Sequence, residues 1–458
     1  MKRKIVSIVM ASAMVFGLAA CGSSGGTTTS SSNGGNDASA ASETTAKSES
    51  SDVVEGSSDD DNTLTVWTWD PNFNVYAIKK AAEIYAQDHE GFKVEVSEVQ
   101  SDDIETRLTT AVSAGDLSTL PDIFLMQDNS FQKYATNYPD IFTDLTDSGI
   151  DFSEFSSAKV AYSTLDGKNY GIPFDNGAVI ECLRTDMLEQ AGFNVDDFTD
   201  ITWNDFMEKA KVVKEKTGQP ILTSQAGSPD LVMEMLQSCG ESLFNEDGSV
   251  NIVDNKALKP ILEIYSQMVK DGTLVEVTDW DQYIASINNG TTAGVINGCW
   301  IMASITANED QSGKWAITNM PKLDGVDGAT NYSNNGGSSW AISSNCKKQD
   351  LAIDFMKSTF AGSTALYDDI IAKGALATWA PAGDSEAYAQ PVAFFSDDPV
   401  YAKIVDFATK TPSNITGAFY YDARDAVGTA LSNIIQTGAD MDSELQTAQE
   451  TVEFNMGG

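Results

Sequence analysis

The sequence is poor in histidine, in cationic side chains and in long apolar runs. His89 is the single histidine of 458 residues, and 28 Lys and Arg stand against 67 Asp and Glu, a formal net charge of −39. One histidine nearly excludes His-based zinc sites, triads that use histidine to activate a nucleophile, and imidazole proton relays. The acidic excess argues against a nucleic-acid partner, because phosphates require clustered Lys and Arg. Carboxylate chemistry, or binding without chemistry, is what remains.

Cysteine is scarce as well. Cys182, Cys239, Cys299 and Cys346 follow no Cys-x-x-Cys spacing, so a zinc cluster is not expected. Disulfides are permitted outside the membrane, but a large core does not need them, and we expect buried free thiols. The sequence thus predicts no metal site and no cofactor.

The first 21 residues predict export. Lys2, Arg3 and Lys4 precede an apolar stretch over residues 5–20, which is shorter than the roughly 20 apolar residues of a comfortable membrane span. The stretch ends in Leu18-Ala-Ala-Cys21-Gly22, which resembles the lipobox of bacterial lipoproteins. That resemblance implies a signal peptide over 1–20, a diacylglycerol anchor on Cys21, and a location on the extracellular face of the bacterial cytoplasmic membrane. An ordinary signal peptide with a chance cysteine is the alternative.

Residues 21–62 predict a lipid-anchored, disordered tether. This stretch is nearly all Ser, Thr, Gly, Ala, Asn and acids, with Val53 and Val54 as its branched aliphatic residues. Such a composition cannot bury enough apolar surface to offset the entropy of ordering. We therefore expect a globule held near a membrane by a flexible spacer.

From Thr63 onward, strand and helix patterns alternate. The patterns of residues 64–69 and 92–99 predict strands, and the residues after each strand have the spacing of a helix. Residues 121–126 predict a short, continuously apolar strand. Later helices are expected after Thr202, from Asp254 and beyond Asp422. The βαβ pattern predicts an α/β class.

Four further passages have recognisable motifs. They are Leu120-Pro-Asp-Ile123, Asp166-Gly-Lys-Asn-Tyr-Gly-Ile-Pro173, Gly290-Thr-Thr-Ala-Gly-Val-Ile-Asn-Gly-Cys-Trp300 and Ala418-Phe-Tyr-Tyr-Asp-Ala-Arg-Asp-Ala-Val427. In this order they resemble the extracellular solute-binding proteins of ATP-driven carbohydrate importers, the family that includes maltose-binding protein.

The resemblance implies a two-lobed, type II periplasmic-binding-protein fold with hinge crossings near Asp175 and Ser338. It predicts a first lobe over 63–175 plus 338–395 and a second over 176–337 plus 396–458. The implied function is a monomer that captures an oligosaccharide between its lobes, catalyses nothing, and delivers its ligand to permease subunits with their ATPase. Hinge closure around ligand is the usual motion of such proteins.

Candidate ligand-binding residues combine rings with carboxylates or amides in loops at strand ends, because rings bury sugar C–H faces and carboxylates accept from hydroxyls. This pattern selects Trp69, Asp70, Asn72, Asp128, Asn129, Asp175, Asn176, and, in a loop before a helix, Trp280 and Asp281. The family resemblance adds Trp300 and Tyr420.

Some of these residues, and others near them, could instead have purely structural roles. Trp67 is expected in the core, Asp175-Asn176 could be an ordinary turn, and Arg424 is expected on a helix surface beside Asp422 or Asp425. Two other functions also stay open. A surface glycoside hydrolase needs only two carboxylates, and a binding protein for a non-sugar solute would share the fold.

Overall fold

A computed structural model describes residues 53–457 of the chain. The predicted signal peptide, Cys21 and most of the predicted tether lie outside the described residues. The strands are β1 (Thr63–Thr68), β2 (Lys93–Glu98), β3 (Ile123–Gln127), β4 (Thr164–Leu165), β5 (Lys168–Asn169), β6 (Ile172–Arg184), β7 (Leu222–Gln225), β8 (Leu274–Val277), β9 (Gly294–Gly298), β10 (Trp315–Thr318) and β11 (Asn334–Ile342).

The helices alternate with these strands in the first part of the fold and dominate the last. They are α1 (Asn74–Tyr85), α2 (Ser101–Ala114), α3 (Asp128–Asn137), α4 (Ser157–Tyr162), α5 (Thr185–Ala191), α6 (Trp203–Thr217), α7 (Asp230–Ser238), α8 (Leu258–Asp271), α9 (Trp280–Asn288), α10 (Met302–Thr306), α11 (Gln349–Ser358), α12 (Thr364–Ile370), α13 (Ala380–Gly383), α14 (Val400–Lys410), α15 (Tyr420–Thr437) and α16 (Met441–Met456).

The predicted βαβ unit is confirmed. β1 pairs in parallel with both β2 and β3, with Val66 opposite Val96 and Ile123. Helix α1 buries Ile78 and Tyr85 toward this sheet, and α2 ends at Gly115, whose φ of 65° suits a helix C-terminus. The carboxyl ends of β1 and β3 therefore lie side by side.

Two helix starts differ from the sequence prediction. The long helix expected from Asp254 begins at Leu258. The Asn255 side chain accepts the N–H groups of Ala257 and Leu258, which holds the preceding residues in a turn. Trp280 and Asp281 were predicted in a loop, and that was wrong. They open α9, since the Asp279 carboxylate accepts the Gln282 N–H and caps the helix one residue earlier.

Strands β6 and β11 join the two halves of one seven-stranded sheet. β11 lies between β3 and the first half of β6, and the second half of β6 pairs with β9 and β10. Apolar cores cover both faces at each end. Val179 and Leu183 face one core, with Ile180 and Cys182 facing another on the opposite side of β6. The order runs β2-β1-β3-β11-β6, so the predicted crossings at Asp175 and Ser338 fall on paired strands.

The end of the predicted tether lies against the fold. Val54 N–H donates to Ser97 Oγ at 2.9 Å, Gly56 N–H donates to Thr119 O at 2.9 Å, and the Trp67 indole donates to Val54 O at 2.8 Å. The packed part of the chain therefore begins about ten residues before Thr63. Trp67 is buried in the core, as predicted.

Over residues 53–457, no helix combines the length and the apolar character that crossing a membrane requires. The four cysteines of this part of the chain are buried free thiols.

Candidate ligand-binding site

A cavity of about 600 Å³ opens beyond the carboxyl ends of β1 and β3. Its other walls are β11 and the first turns of α7, α9 and α15. Ligands of open α/β sheets bind at the carboxyl ends of strands. The volume falls within the roughly 300–1,000 Å³ that small-molecule sites occupy.

The structure brings seven of the eleven predicted site residues to this cavity. They are Trp69, Asp70, Asn129, Asp175, Trp280, Trp300 and Tyr420. The other four lie elsewhere. Asn72 and Asp281 are exposed side chains outside its wall, and Asp128 and Asn176 line a neighbouring cavity of about 410 Å³.

One wall is a group of aromatic rings around Trp280. The rings of Trp280 and Tyr283 stack with centroids 5.1 Å apart, and Trp280 and Trp300 are 5.8 Å apart at 42°. Trp280 is 42% exposed, an unusual degree for so large an apolar side chain. The protein thus keeps a ring face available inside the cavity.

The Trp300 indole is held by the strand behind it. Its Nε1 donates to Asn335 O at 2.9 Å. Gly298 permits this packing, because a Cβ there would lie 2.3 Å from Trp300 Nε1 and 2.6 Å from Asn335 O. The glycine of the Gly-x-Trp motif therefore makes room for the ring two residues later.

The opposite wall carries Trp69 and Asp70. Asn74 holds this loop, since its Oδ1 accepts from Thr68 Oγ1 at 2.6 Å and from Asp70 N–H at 2.9 Å. The Asp70 carboxylate accepts the N–H groups of Asn72 and Phe73 through Oδ1. A ring and a carboxylate are fixed in place across the cavity from Trp280.

Asp175 forms part of the cavity floor. It is 3% exposed, and its Oδ1 accepts from Ser338 N–H at 2.9 Å and from Ser338 Oγ at 2.5 Å. Burial raises the pKa of Asp175, while Lys159 and these hydrogen bonds oppose the rise. The Asp175 carboxyl group thus joins β6 to its antiparallel neighbour β11.

Asp128 lies behind this floor in a buried ion pair. Its Oδ2 contacts Lys159 Nζ and its Oδ1 accepts from Ser339 Oγ at 2.9 Å. Lys159 also donates to Ser338 O at 3.0 Å. Burial raises the pKa of Asp128 to about 6, against the opposing effect of Lys159. Instead of facing the main cavity, Asp128 joins β3 to β11.

Several cavity residues were missed by the sequence reasoning. They are Glu98, Asp102, Gln127, Tyr162, Asp230, Glu234, Gln237, Asn335, Tyr421 and Arg424. Asp230 opens α7 after a Gly-Ser-Pro loop, a signal like those used for the other loops. No local signal marks Arg424, which binds Asp230 at 2.6 Å across 194 positions of sequence. It also reaches Asp425 at 3.1 Å, the surface partner predicted for it.

Glu234 is the most enclosed carboxyl group of the cavity wall. It is 1% exposed, Oε1 accepts from Asn335 Nδ2 at 2.7 Å, and Oε2 has no partner among the described residues. Burial raises the pKa of Glu234 well above its usual range. Burial therefore favours the protonated form of this carboxyl group, which can donate as well as accept.

The family model for bacterial extracellular solute-binding proteins matches residues 80–399 of the chain. The chain belongs to this family. Membership places the binding protein in the periplasm or outside the cell. The predicted family and class of fold are confirmed.

Similarity to individual proteins agrees with this assignment. The binding protein is 38% identical to a lactose-binding protein of Rhizobium radiobacter, over 84% of this chain and 91% of that protein. It superposes on an ABC transporter associated binding protein of B. animalis subsp. lactis in complex with β-1,6-galactobiose, with a TM-score of 0.73 at 20% identity over 86% of this chain and 98% of that one. A maltose-bound MalE3 of T. maritima gives 0.71 at 18% identity over 86% and 99%. These two likenesses show the type II fold.

Proposed function

We propose that this protein captures an oligosaccharide in the aromatic and carboxyl-lined cavity and delivers it to an ATP-dependent importer. The observation that carries the proposal is the pairing of exposed ring faces with hydrogen-bond acceptors in one cavity. Trp280 and Trp300 stand on one wall, with Trp69 and Asp70 on the other. Rings cover the C–H faces of a sugar, and carboxylates accept from its hydroxyls.

The relatives support a sugar as ligand. The most similar one discussed above is named for lactose, and one structural neighbour holds β-1,6-galactobiose. Both sugars are galactose-containing disaccharides. We therefore place lactose and β-galactosides first among the candidate ligands.

The mode of action proposed is binding without catalysis. The two lobes, 63–175 plus 338–395 and 176–337 plus 396–458, close around ligand, and the closed form is the one that the permease recognises. The protein acts as a monomer, anchored through the lipid on Cys21. Permease and ATPase are separate chains.

Calorimetric titration tests the ligand. The full-length mature chain is titrated with lactose, β-1,6-galactobiose, raffinose, maltose and xylobiose, and thermal unfolding is followed with each sugar present. At least one sugar is expected to bind and to raise the melting temperature by linkage. Binding of none of a broad panel would refute the proposal.

Ring removal tests the site. Trp280→Ala and Trp300→Ala are each expected to weaken sugar binding at least about tenfold, since an aromatic contact of a buried ligand contributes about 1.5 kcal/mol or more. Phe454→Ala is the matched control, because this ring is 79% exposed on α16, outside the cavity. Equal losses in all three variants would point to general damage and contradict the proposed site.

Anchoring and catalysis are tested separately. Cys21→Ser is expected to abolish incorporation of labelled fatty acid and to release the protein from membranes. Prolonged incubation with the bound sugar is expected to release no reducing ends. Hydrolysis that is lost in Asp175→Asn would favour the glycoside hydrolase instead.

A further inference from the structure

The cavity wall has many more acidic than basic side chains. Six of its side chains carry carboxyl groups, namely Asp70, Glu98, Asp102, Asp175, Asp230 and Glu234, and one carries a guanidinium, Arg424. Even without Glu234, whose pKa burial raises, five carboxyl groups exceed the one cation. The wall is therefore acidic even after the most buried group is set aside.

The single guanidinium is already engaged. Arg424 binds Asp230 at 2.6 Å and Asp425 at 3.1 Å, so its charge is matched by two carboxylates of the protein. Lys159, which lies behind the floor, is 5% exposed and is bound to Asp128 and to Ser338 O. Within the part of the chain that the structure describes, the cavity wall offers no unengaged cation to a ligand.

Two of the acids are buried and turned to the cavity with an unused oxygen. The hydrogen bonds of Asp175 all go to Oδ1, and Oε2 of Glu234 has no partner in the described structure. Hydroxyl or ammonium hydrogens of a ligand can satisfy the free oxygen of Asp175, and the Glu234 carboxyl group can exchange hydrogen bonds with a ligand hydroxyl. A carboxylate or sulfate on the ligand brings negative charge and no hydrogen.

We propose that this cavity discriminates by charge: it accepts neutral and amino-bearing sugars and rejects sugars that carry a carboxylate or a sulfate. The inference rests on the proposed sugar-binding function and adds the class of sugar. Inside a cavity the charged groups are partly desolvated, so the carboxylates of the wall and an anionic group on the ligand repel each other strongly. The described wall has no cation that is free to pair with an anionic group of the ligand, because Arg424 is already bound to two carboxylates.

The test uses three forms of one sugar. The probes are the neutral oligosaccharide that binds in the panel above, its 6-uronate, and its 6-amino-6-deoxy derivative, which share a shape and differ in charge. At 20 mM salt the uronate is expected to bind at least tenfold more weakly than the neutral sugar, with the amine within about threefold of it. The gap is expected to narrow at 0.5 M salt, because salt screens charge.

Two controls separate charge from shape. The methyl ester of the uronate is larger and uncharged, and it is expected to bind better than the uronate itself.

Glu98→Gln combined with Asp102→Asn is expected to reduce the ratio of neutral to uronate affinity, each variant being compared with its own neutral-sugar affinity. Glu450→Gln combined with Glu453→Gln removes the same charge from the exposed face of α16 and is expected to leave that ratio unchanged.

The outcomes distinguish the two proposals. A uronate that binds as tightly as the neutral sugar, or an ester as weak as the uronate, overturns the charge inference and leaves sugar binding intact. If no neutral sugar binds at all, both fall together.

Discussion

Strand β6 buries two acids six residues apart, and the protein treats them in opposite ways. Asp175 lies where β6 pairs with β11, with two hydrogen bonds from Ser338 and with Lys159 nearby. Glu181, farther along, is 0% exposed, and neither of its carboxyl oxygens has a partner among the described residues. One acid belongs to a polar network at the cavity and the other stands in an apolar core.

This fold tolerates buried charge where partners surround it. Beside the β6–β11 pairing, Lys159 binds Asp128, and Ser338 and Ser339 each donate to one of the two aspartates, Asp175 and Asp128. Buried charges are stable only when they are paired and hydrogen-bonded. Glu181 lacks both, and burial raises its pKa well above the ordinary value, which favours its protonated form. The acids beside the cavity have partners, whereas the acid in the core has none among the described residues.

The largest expected effect comes from removing Lys159, the cation of this polar network. Lys159→Met leaves Asp128 buried without its cation and is expected to lower the free energy of unfolding by about 3–5 kcal/mol, measured by urea denaturation at pH 7. The loss is expected to shrink at pH 5, because an unpaired Asp128 takes up a proton.

A matched control and a double variant sharpen this result. Lys168→Met removes a lysine that is 57% exposed and pairs with Asp144 at 3.4 Å, and it is expected to cost about 0–1 kcal/mol. Adding Asp128→Asn to Lys159→Met is expected to recover part of the loss. If Lys159→Met alone is as stable as the wild type, the Asp128–Lys159 ion pair does not stabilise the contact between β3 and β11.

Glu181→Gln is expected to stabilise the protein at alkaline pH. The folded pKa of Glu181 lies above its value of 4.5 in an open chain, so the folded state binds more protons and stability falls as pH rises between the two values. The variant has no such proton to lose. Its advantage is expected to be near zero at pH 4 and at least about 1 kcal/mol at pH 8.

The control is Glu189→Gln on the exposed face of α5. Stability of both variants is measured by urea denaturation from pH 4 to pH 8. An advantage of Glu181→Gln that does not grow with pH would contradict the neutral, unpartnered state of Glu181.

The smallest effect is expected for Ser338→Ala. This change removes one of the two hydrogen bonds to Asp175 Oδ1 and keeps the bond from the backbone N–H, so about 1 kcal/mol of stability should be lost. Sugar affinity should fall a few-fold as well, because Asp175 forms the cavity floor. Ser344→Ala, which loses an exposed bond to Asp140 O, is the control, and equal affinities in the two variants would separate Asp175 from the ligand.

The sequence predicted what local patterns determine. The parallel unit of β1, β2 and β3 follows from apolar alternation and helical spacing, and Trp69 was placed at the cavity because it borders a loop. Trp280 was selected through a loop prediction that was wrong, because it opens α9, and Trp300 was selected by family resemblance. Composition and periodicity are local, and these features depend on neighbours along the chain.

Long-range pairing could not be predicted in this way. Asp128 follows a strand as a ligand residue would, but its partner Lys159 is 31 positions away and turns it into a buried ion pair. Arg424 and Asp230 meet across 194 positions. Glu181 stands in a strand that is otherwise apolar over residues 178–183, and nothing in that pattern says that its carboxyl group lacks a partner.

The attachment of residues 53–62 has a mechanical consequence. Val54 is bonded to Ser97 of β2 and to Trp67 of β1, and Gly56 to Thr119 just before β3. Any tension that reaches the fold through the chain before residue 53 is therefore shared by β1, β2 and the segment before β3 and does not load β1 alone. Trp67 and Ser97 are each the fifth of six residues in their strands, so this attachment lies toward the same strand ends as the cavity.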